Sequence, residues 1–244
     1  MMIRINAFLW LASLGAASAG AQGFERDTLA TSDGPLEISF VGHGSLIFAL
    51  GGRIVYVDPV MRETDYRRLP DADLILVTHR HGDHLDTAAI AALTKPSTEV
   101  VVSPDCAGAV DGAIVMKNGD RRTVQGFPID AVAAYNIEHK RDGGQPYHPK
   151  GDGNGYIVTL GDKRVYVAGD TENVPEMKAL RDIDVAFLPM NLPYTMTPAM
   201  VAEAARAFRP RILYPYHYGN TDVSQLVVLL RDEPGIEVRI RQMQ

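Results

Sequence analysis

Cysteine and tryptophan are almost missing from this chain: Cys106 and Trp10 are the only examples among 244 residues. A lone cysteine excludes an intrachain disulfide even in an oxidising compartment, and Cys106 reads as a small, half-buried thiol. Cationic excess is missing too. With 24 Lys and Arg against 30 Asp and Glu, the net charge is -6, so the chain has no electrostatic reason to seek nucleic acid. Long apolar runs, internal repeats and low-complexity tracts are also lacking. The apolar run from Ala7 to Leu14 is far shorter than the ~20 residues that span a bilayer.

That run has a meaning of its own. It follows the basic Arg4 and leads into Ala17-Ser18-Ala19-Gly20-Ala21, the pattern of a cleavable secretory signal. Residues 1–21 are therefore expected to be a signal peptide, with cleavage after Ala19 or Ala21, and residues 22–244 the mature domain. The expected location is periplasmic or secreted, with no stable membrane insertion after cleavage. Oligomeric state is not legible.

The whole chain is 46% hydrophobic, enough for one substantial core. Leu36 to Val41, Ser45 to Leu50 and Arg53 to Val57 read as a meander of strands joined by Gly-containing turns. Leu74 to Thr78 is a continuous apolar strand, and Thr87 to Leu93 reads as a helix. Further strands are expected at Val100 to Val102, Ala113 to Met116, Ile129 to Ala134, Tyr156 to Leu160, Arg164 to Ala168, Val185 to Leu188, Ile212 to Tyr216 and Ile236 to Ile240. Helices are expected at Pro198 to Phe208, where proline suits the first turn, and at Asp222 to Leu230. Lys140 to Asn154, rich in Gly, Pro and charge, is the one long loop, and such loops are usually functional or mobile.

The strongest chemical signal is Thr78-His79-Arg80-His81-Gly82-Asp83-His84, which packs three of seven histidines and a carboxylate behind a strand. Imidazole and carboxylate are the ligands that zinc and similar cations select. His79 and His81 can point the same way off the strand end, while Asp83 and His84, past a glycine, can turn toward a second ion.

This cluster resembles the signature of the metallo-β-lactamase superfamily. Gly42-His43-Gly44-Ser45, Val57-Asp58-Pro59, Val167-Ala168-Gly169-Asp170-Thr171, Phe187-Leu188-Pro189-Met190 and Tyr214-Pro215-Tyr216-His217-Tyr218 match further segments of it. The likeness extends to the branch of L-ascorbate-6-phosphate lactonase and N-acyl phosphatidylethanolamine phospholipase D type enzymes. It implies an α/β fold, a four-layer αββα sandwich with two divalent metal ions at one edge, zinc first, manganese or iron as alternatives. His79 and His81 would bind the first ion, Asp83, His84 and His217 the second, and Asp170 would bridge them. For the third histidine of the first site, His148 lies 22 residues before Asp170, room for a loop and two strands; His139 and Asn136 compete for the place. His43 is either an orienting partner or a turn residue, and Asp58 is structural support.

The implied activity is a metal-dependent hydrolase acting on a small-molecule substrate. A metal-bridging hydroxide oriented by the catalytic Asp83 would cleave an ester, lactone, amide or phosphodiester. The alternatives are a catalytically silent binding module on the same fold and a periplasmic β-lactamase, although the lactam-cleaving relatives lack the bridging aspartate. Flavodiiron-type redox chemistry would place a glutamate where His81 stands. The loop Asn191 to Thr197, with Tyr194 and Met196, and the tyrosines flanking His217 are expected near the substrate.

Overall fold

The computed structural model describes residues 23–243; the expected signal segment and Trp10 lie outside the described residues. Fourteen strands form two seven-stranded sheets in which sequence order is also spatial order. The first holds β1 (Glu25–Thr31), β2 (Gly34–Gly42), β3 (Ser45–Leu50), β4 (Arg53–Val57), β5 (Ala72–Val77), β6 (Thr94–Val102) and β7 (Ile114–Val115). The second holds β8 (Arg121–Val124), β9 (Phe127–Ala134), β10 (Gly153–Leu160), β11 (Lys163–Val167), β12 (Val185–Pro189), β13 (Ile212–Tyr216) and β14 (Glu237–Val238). Each sheet begins as four antiparallel strands and ends as a parallel set.

Parallel neighbours cannot be joined by a tight turn, so each needs a crossover. Helix α1 (Thr87–Leu93) carries the chain from β5 to β6. In the second half α2 (Pro175–Lys178), α3 (Pro198–Phe208) and α4 (Ser224–Leu230) serve the same purpose between β11 and β14. Asp86 caps α1 by accepting from the Ala88 and Ala89 amides, and Thr197 caps α3 through Met200 N, with Pro198 in the first turn. Val201, Ala204, Ala205 and Phe208, at spacings of three and four, form the buried stripe of α3.

The layers follow from the side-chain alternation of β5. Leu74 and Leu76 enter the core between the sheets, whereas Ile75 and Val77 face Ala89, Ile90 and Leu93 of α1 in a separate cluster. Both faces are covered, which is why this strand reads as an unbroken apolar run. Between the sheets Phe187 of β12 stacks on Tyr214 at 5.0 Å and reaches Phe48 of β3 at 5.8 Å. On the far face of the second sheet, Tyr166 meets Phe208 of α3 edge-on at 6.1 Å. The molecule is an α/β sandwich of two mixed sheets flanked by helices. Among the described residues no helix is long and apolar enough to cross a membrane.

Several expectations need correction, among them the strand at Ala113 to Met116, which is only Ile114–Val115. The strand at Ile236 to Ile240 shrinks to two residues, and α4 starts at Ser224 rather than Asp222. Strand β1 was not expected, because Glu25, Arg26 and Asp27 make it look like a solvated loop. It is held instead by ion pairs, Asp27 facing Arg239 and Arg241 and accepting from the Tyr214 hydroxyl.

Candidate metal centre

Parallel strands end at one edge, and the chain's chemistry collects there, as α/β sheets dictate. β4 runs into Asp58, β5 into His79, β11 into Asp170 and β13 into His217. Asp58, His43 and His217 adopt left-handed φ values of 45°, 50° and 44°, a conformation that costs non-glycine residues of order 1 kcal/mol or more. Six of the seven histidines meet at this edge, in groups of His79, His81 and His148, of His43, Asp83, His84 and His217, and of His79, His84 and Asp170.

In the first group, His79 Nε2 and His148 Nε2 lie 3.1 and 3.2 Å from His81 Nδ1. Their other ring nitrogens are engaged: His79 Nδ1 faces Thr78 Oγ1 at 3.1 Å, and His148 Nδ1 donates to Asn136 Oδ1 at 2.7 Å. Both Nε2 atoms therefore aim lone pairs at one nitrogen that can donate a single proton. A cation resolves the conflict, since tetrahedral zinc with bonds of about 2.0–2.1 Å separates its nitrogen donors by roughly 3.3 Å.

In the second group, Asp170 Oδ1 lies 3.5 Å from both His84 Nε2 and His217 Nε2, while Asp83 Oδ2 is 3.7 Å from His217 Nε2 and 4.0 Å from His84 Nε2. His84 Nε2, His217 Nε2 and Asp170 Oδ1 are buried and lack any hydrogen-bond partner, a costly state for polar atoms that a shared cation relieves. The other oxygen of Asp170, Oδ2, faces the first group, 3.3 Å from His148 Nε2 and 3.9 Å from His79 Nε2. One carboxylate thus serves two ligand sets.

Electrostatics agree. Burial penalises charge on Asp170, yet His217, His84 and His148 hold its carboxyl well below the ordinary carboxylate range. Burial and the neighbouring His84 keep His79 neutral. Burial alone would also lower His84, but Asp170, Asp58 and Asp83 push it up to about 9; a cation bound there displaces a proton.

A supporting layer sets the rings. Fully buried Asp58 accepts from His84 Nδ1 at 2.8 Å and from Thr78 N and Oγ1 at 2.8 and 2.7 Å. Carboxylates behind ligand imidazoles fix tautomer and direction in this way. Gly44 is required by closeness: a Cβ there would sit 2.9 Å from His84 Cε1 and 3.5 Å from His217 Cδ2. His43 reaches Asp83 Oδ2 through Nε2 at 3.0 Å and packs on the His217 ring at 3.8 Å.

Sequence reasoning missed Glu172 altogether and the supporting role of Asn136. Buried Glu172 accepts from the backbone amides of Ile137, Glu138 and His139 at 2.7 to 2.8 Å and from Asn136 Nδ2 at 3.1 Å. Asn136, fixed by it, presents Oδ1 to His148 N and Nδ1. Asn136 is thus behind the His148 imidazole, whereas His139 docks its ring 2.9 Å from Glu172 and stays away from both groups. Met196, Tyr216 and Tyr218 are buried in the core rather than near a substrate, and only Tyr194 of that set is exposed. Cys106 is fully buried beside Ser103, and burial pushes its thiol up to about 12, which leaves it inert.

A cleft of about 570 Å³ opens onto the centre, lined by His79, His81, His148 and Asp170 together with the loop from Arg141 to Pro149. This is a volume suited to a small molecule.

Comparison with known proteins places this geometry in context. A UPF0173 metal-dependent hydrolase of Thermococcus kodakarensis is 32% identical over 198 residues, 76% of this chain and 85% of that protein. The crystal structure of a candidate metal-dependent hydrolase from Parabacteroides distasonis is 49% identical, with a TM-score of 0.86 over 91% of this chain and 100% of the other. A metallo hydrolase from Ignicoccus hospitalis, 22% identical, shares the fold at a TM-score of 0.69 over 85% and 95% of the two chains. Residues 37–217, which include every group described above, match the model of the beta-lactamase superfamily domain, and the chain belongs to that family.

Proposed function

We propose that this chain is a two-metal hydrolase of small molecules. His79, His81 and His148 hold one divalent ion, Asp83, His84 and His217 hold another, and Asp170 joins them. The observation that carries the reading is the division of Asp170 between two ligand sets, Oδ2 toward the first and Oδ1 toward the second. Zinc suits the mixture of imidazole and carboxylate, and manganese or iron are accepted by the same donors.

Two divalent cations held by these residues would lower the pKa of a water toward about 7 and polarise the oxygen of the bond under attack. The protein's part is positional. Asp83 is half-buried, its carboxylate is fixed by His43 at 3.0 Å, and it would orient the attacking water. Asn136 and Asp58 hold His148 and His84 in the tautomers that leave Nε2 free. In the reaction water's oxygen joins the acyl or phosphoryl centre, the bond to the leaving group breaks, and the proton ends on the leaving oxygen or nitrogen.

The ester, lactone, amide and phosphodiester classes all fit this chemistry. The motif likeness to lactonase and phospholipase D type enzymes makes lactones and phosphodiesters the first to test. Residues 1–21 are proposed to export the chain. The experiment is a substrate screen on protein stripped with a chelator and then reloaded with zinc or manganese. Activity that returns with metal and is absent in Asp83→Ala supports the reading, and activity indifferent to the chelator refutes it.

A further inference from the structure

Arginines in this molecule are almost all committed. Among the described residues every arginine side chain except those of Arg80, Arg122 and Arg141 has a hydrogen-bond or ion-pair partner. Two of those three, Arg80 and Arg141, line the cleft that opens onto the metal centre. Their charge stands out against a net of -6 for the chain.

Both side chains are exposed, but each rises from a backbone that is held in place. Arg80 lies between His79 and His81, and its backbone amide is tied to Asp105 Oδ2 at 3.1 Å. Arg141 sits at the tip of the long loop in a turn closed by Arg141 N to Gln145 O and Gly144 N to Arg141 O, each 2.8 Å, with Lys140 bridged to Pro146 behind it. Its guanidinium lies 5.1 Å from the centroid of the Tyr147 ring, which packs edge-on against Tyr194 at 5.0 Å. Stacking on an aromatic face limits the freedom of the guanidinium while leaving its donors unused. The cleft also carries Asp105 and Asp152; the Asp105 carboxylate already accepts from Ser103 Oγ and from the Arg80 amide.

We infer that Arg80 and Arg141 form an oxyanion-binding subsite, and that the physiological substrate carries a phosphate or carboxylate group next to the bond that is cleaved. Guanidinium donors match both oxyanions in paired hydrogen bonds, and a cleft with two unpaired cations beside a cationic metal centre concentrates anions. The inference deepens the hydrolase reading and rests on it for the position of the scissile bond; the anion subsite itself rests on the arginines.

The test has two arms. In the first, inorganic phosphate is titrated calorimetrically into the metal-loaded wild type, Arg80→Gln, Arg141→Gln, the double variant and Arg122→Gln. Phosphate affinity should fall at least ten-fold in the double variant, with metal content unchanged, and stay at the wild-type value in Arg122→Gln. Equal affinity in the double variant and the wild type overturns the subsite. In the second arm, mono-p-nitrophenyl glutarate is compared with neutral p-nitrophenyl butyrate. KM for the anionic ester should rise about ten-fold in the double variant while kcat and the neutral ester are untouched; parallel losses on both esters overturn the assignment. A wild type that hydrolyses neither ester counts against the hydrolase reading, and the phosphate titration still decides the subsite.

Discussion

Removing the side chain of Asn136 is the sharpest probe of how the protein builds its first metal site. Asn136 makes four hydrogen bonds: Oδ1 accepts from His148 N at 2.8 Å and Nδ1 at 2.7 Å, and Nδ2 donates to Glu172 Oε1 at 3.1 Å and Tyr194 O at 2.9 Å. At about 1 kcal/mol net for each bond, with the four sharing one side chain, Asn136→Ala should destabilise the fold by roughly 2–4 kcal/mol. The functional loss is separable. Without an acceptor for Nδ1–H, the His148 ring can rotate or change tautomer, and loss of such a partner lowers metal affinity about 10–100-fold, or about 1.4–2.7 kcal/mol. Asn136→Asp keeps an acceptor for His148 but sets a second carboxylate against Glu172, so it should lose more stability and less metal affinity. Urea unfolding gives the first quantity, and competition with a chromophoric chelator gives the second. An Asn136→Ala protein that binds its first metal ion within two-fold of wild type refutes the orienting role.

Three other outcomes follow from the same geometry and a fourth from the sequence. His148→Ala should sharply lower first-site occupancy and activity, whereas His139→Ala should leave both nearly intact; metal analysis of the two purified variants decides. Asp58→Asn removes the charge behind His84 Nδ1 and should weaken second-site binding about 10–100-fold, with an unchanged circular dichroism spectrum. Burial would raise the Glu172 carboxyl, but the Glu138, His139 and Ile137 amides and Asn136 lower it below 4.5. Its stabilisation is therefore complete above pH 4.5 and lost as pH falls through the lower folded value, so Glu172→Gln should flatten the acid limb of stability measured by urea unfolding. Export with cleavage would remove Trp10, the only tryptophan, so the mature protein from its native host should show no indole emission.

How much of this was legible depended on how local the cause was. The chain from β2 to β5 and α1 and α3 were readable because apolar periodicity and Pro198 act within a few residues of the elements they define. The clustering of the candidate ligands was readable for a similar reason: His79 to His84 lie on one turn behind one strand, and Asp170 and His217 each follow a strand at the same edge. The supporting layer was not. Glu172 acts on residues 33 to 36 positions away, and nothing around it in sequence separates it from any surface glutamate. Asn136 was weighed only as a rival to His148, whereas its amide is what places His148. β1 was missed because its charges find partners in Arg239 and Arg241, more than two hundred residues later.

The central claim, two ions joined through Asp170, is most directly tested by electron paramagnetic resonance of metal-free protein titrated with Mn²⁺. The account predicts that two ions bind per chain and that their spins couple, with the coupled spectrum lost in Asp170→Ala. Uptake of a single ion, or of two that remain magnetically independent at saturation, contradicts it.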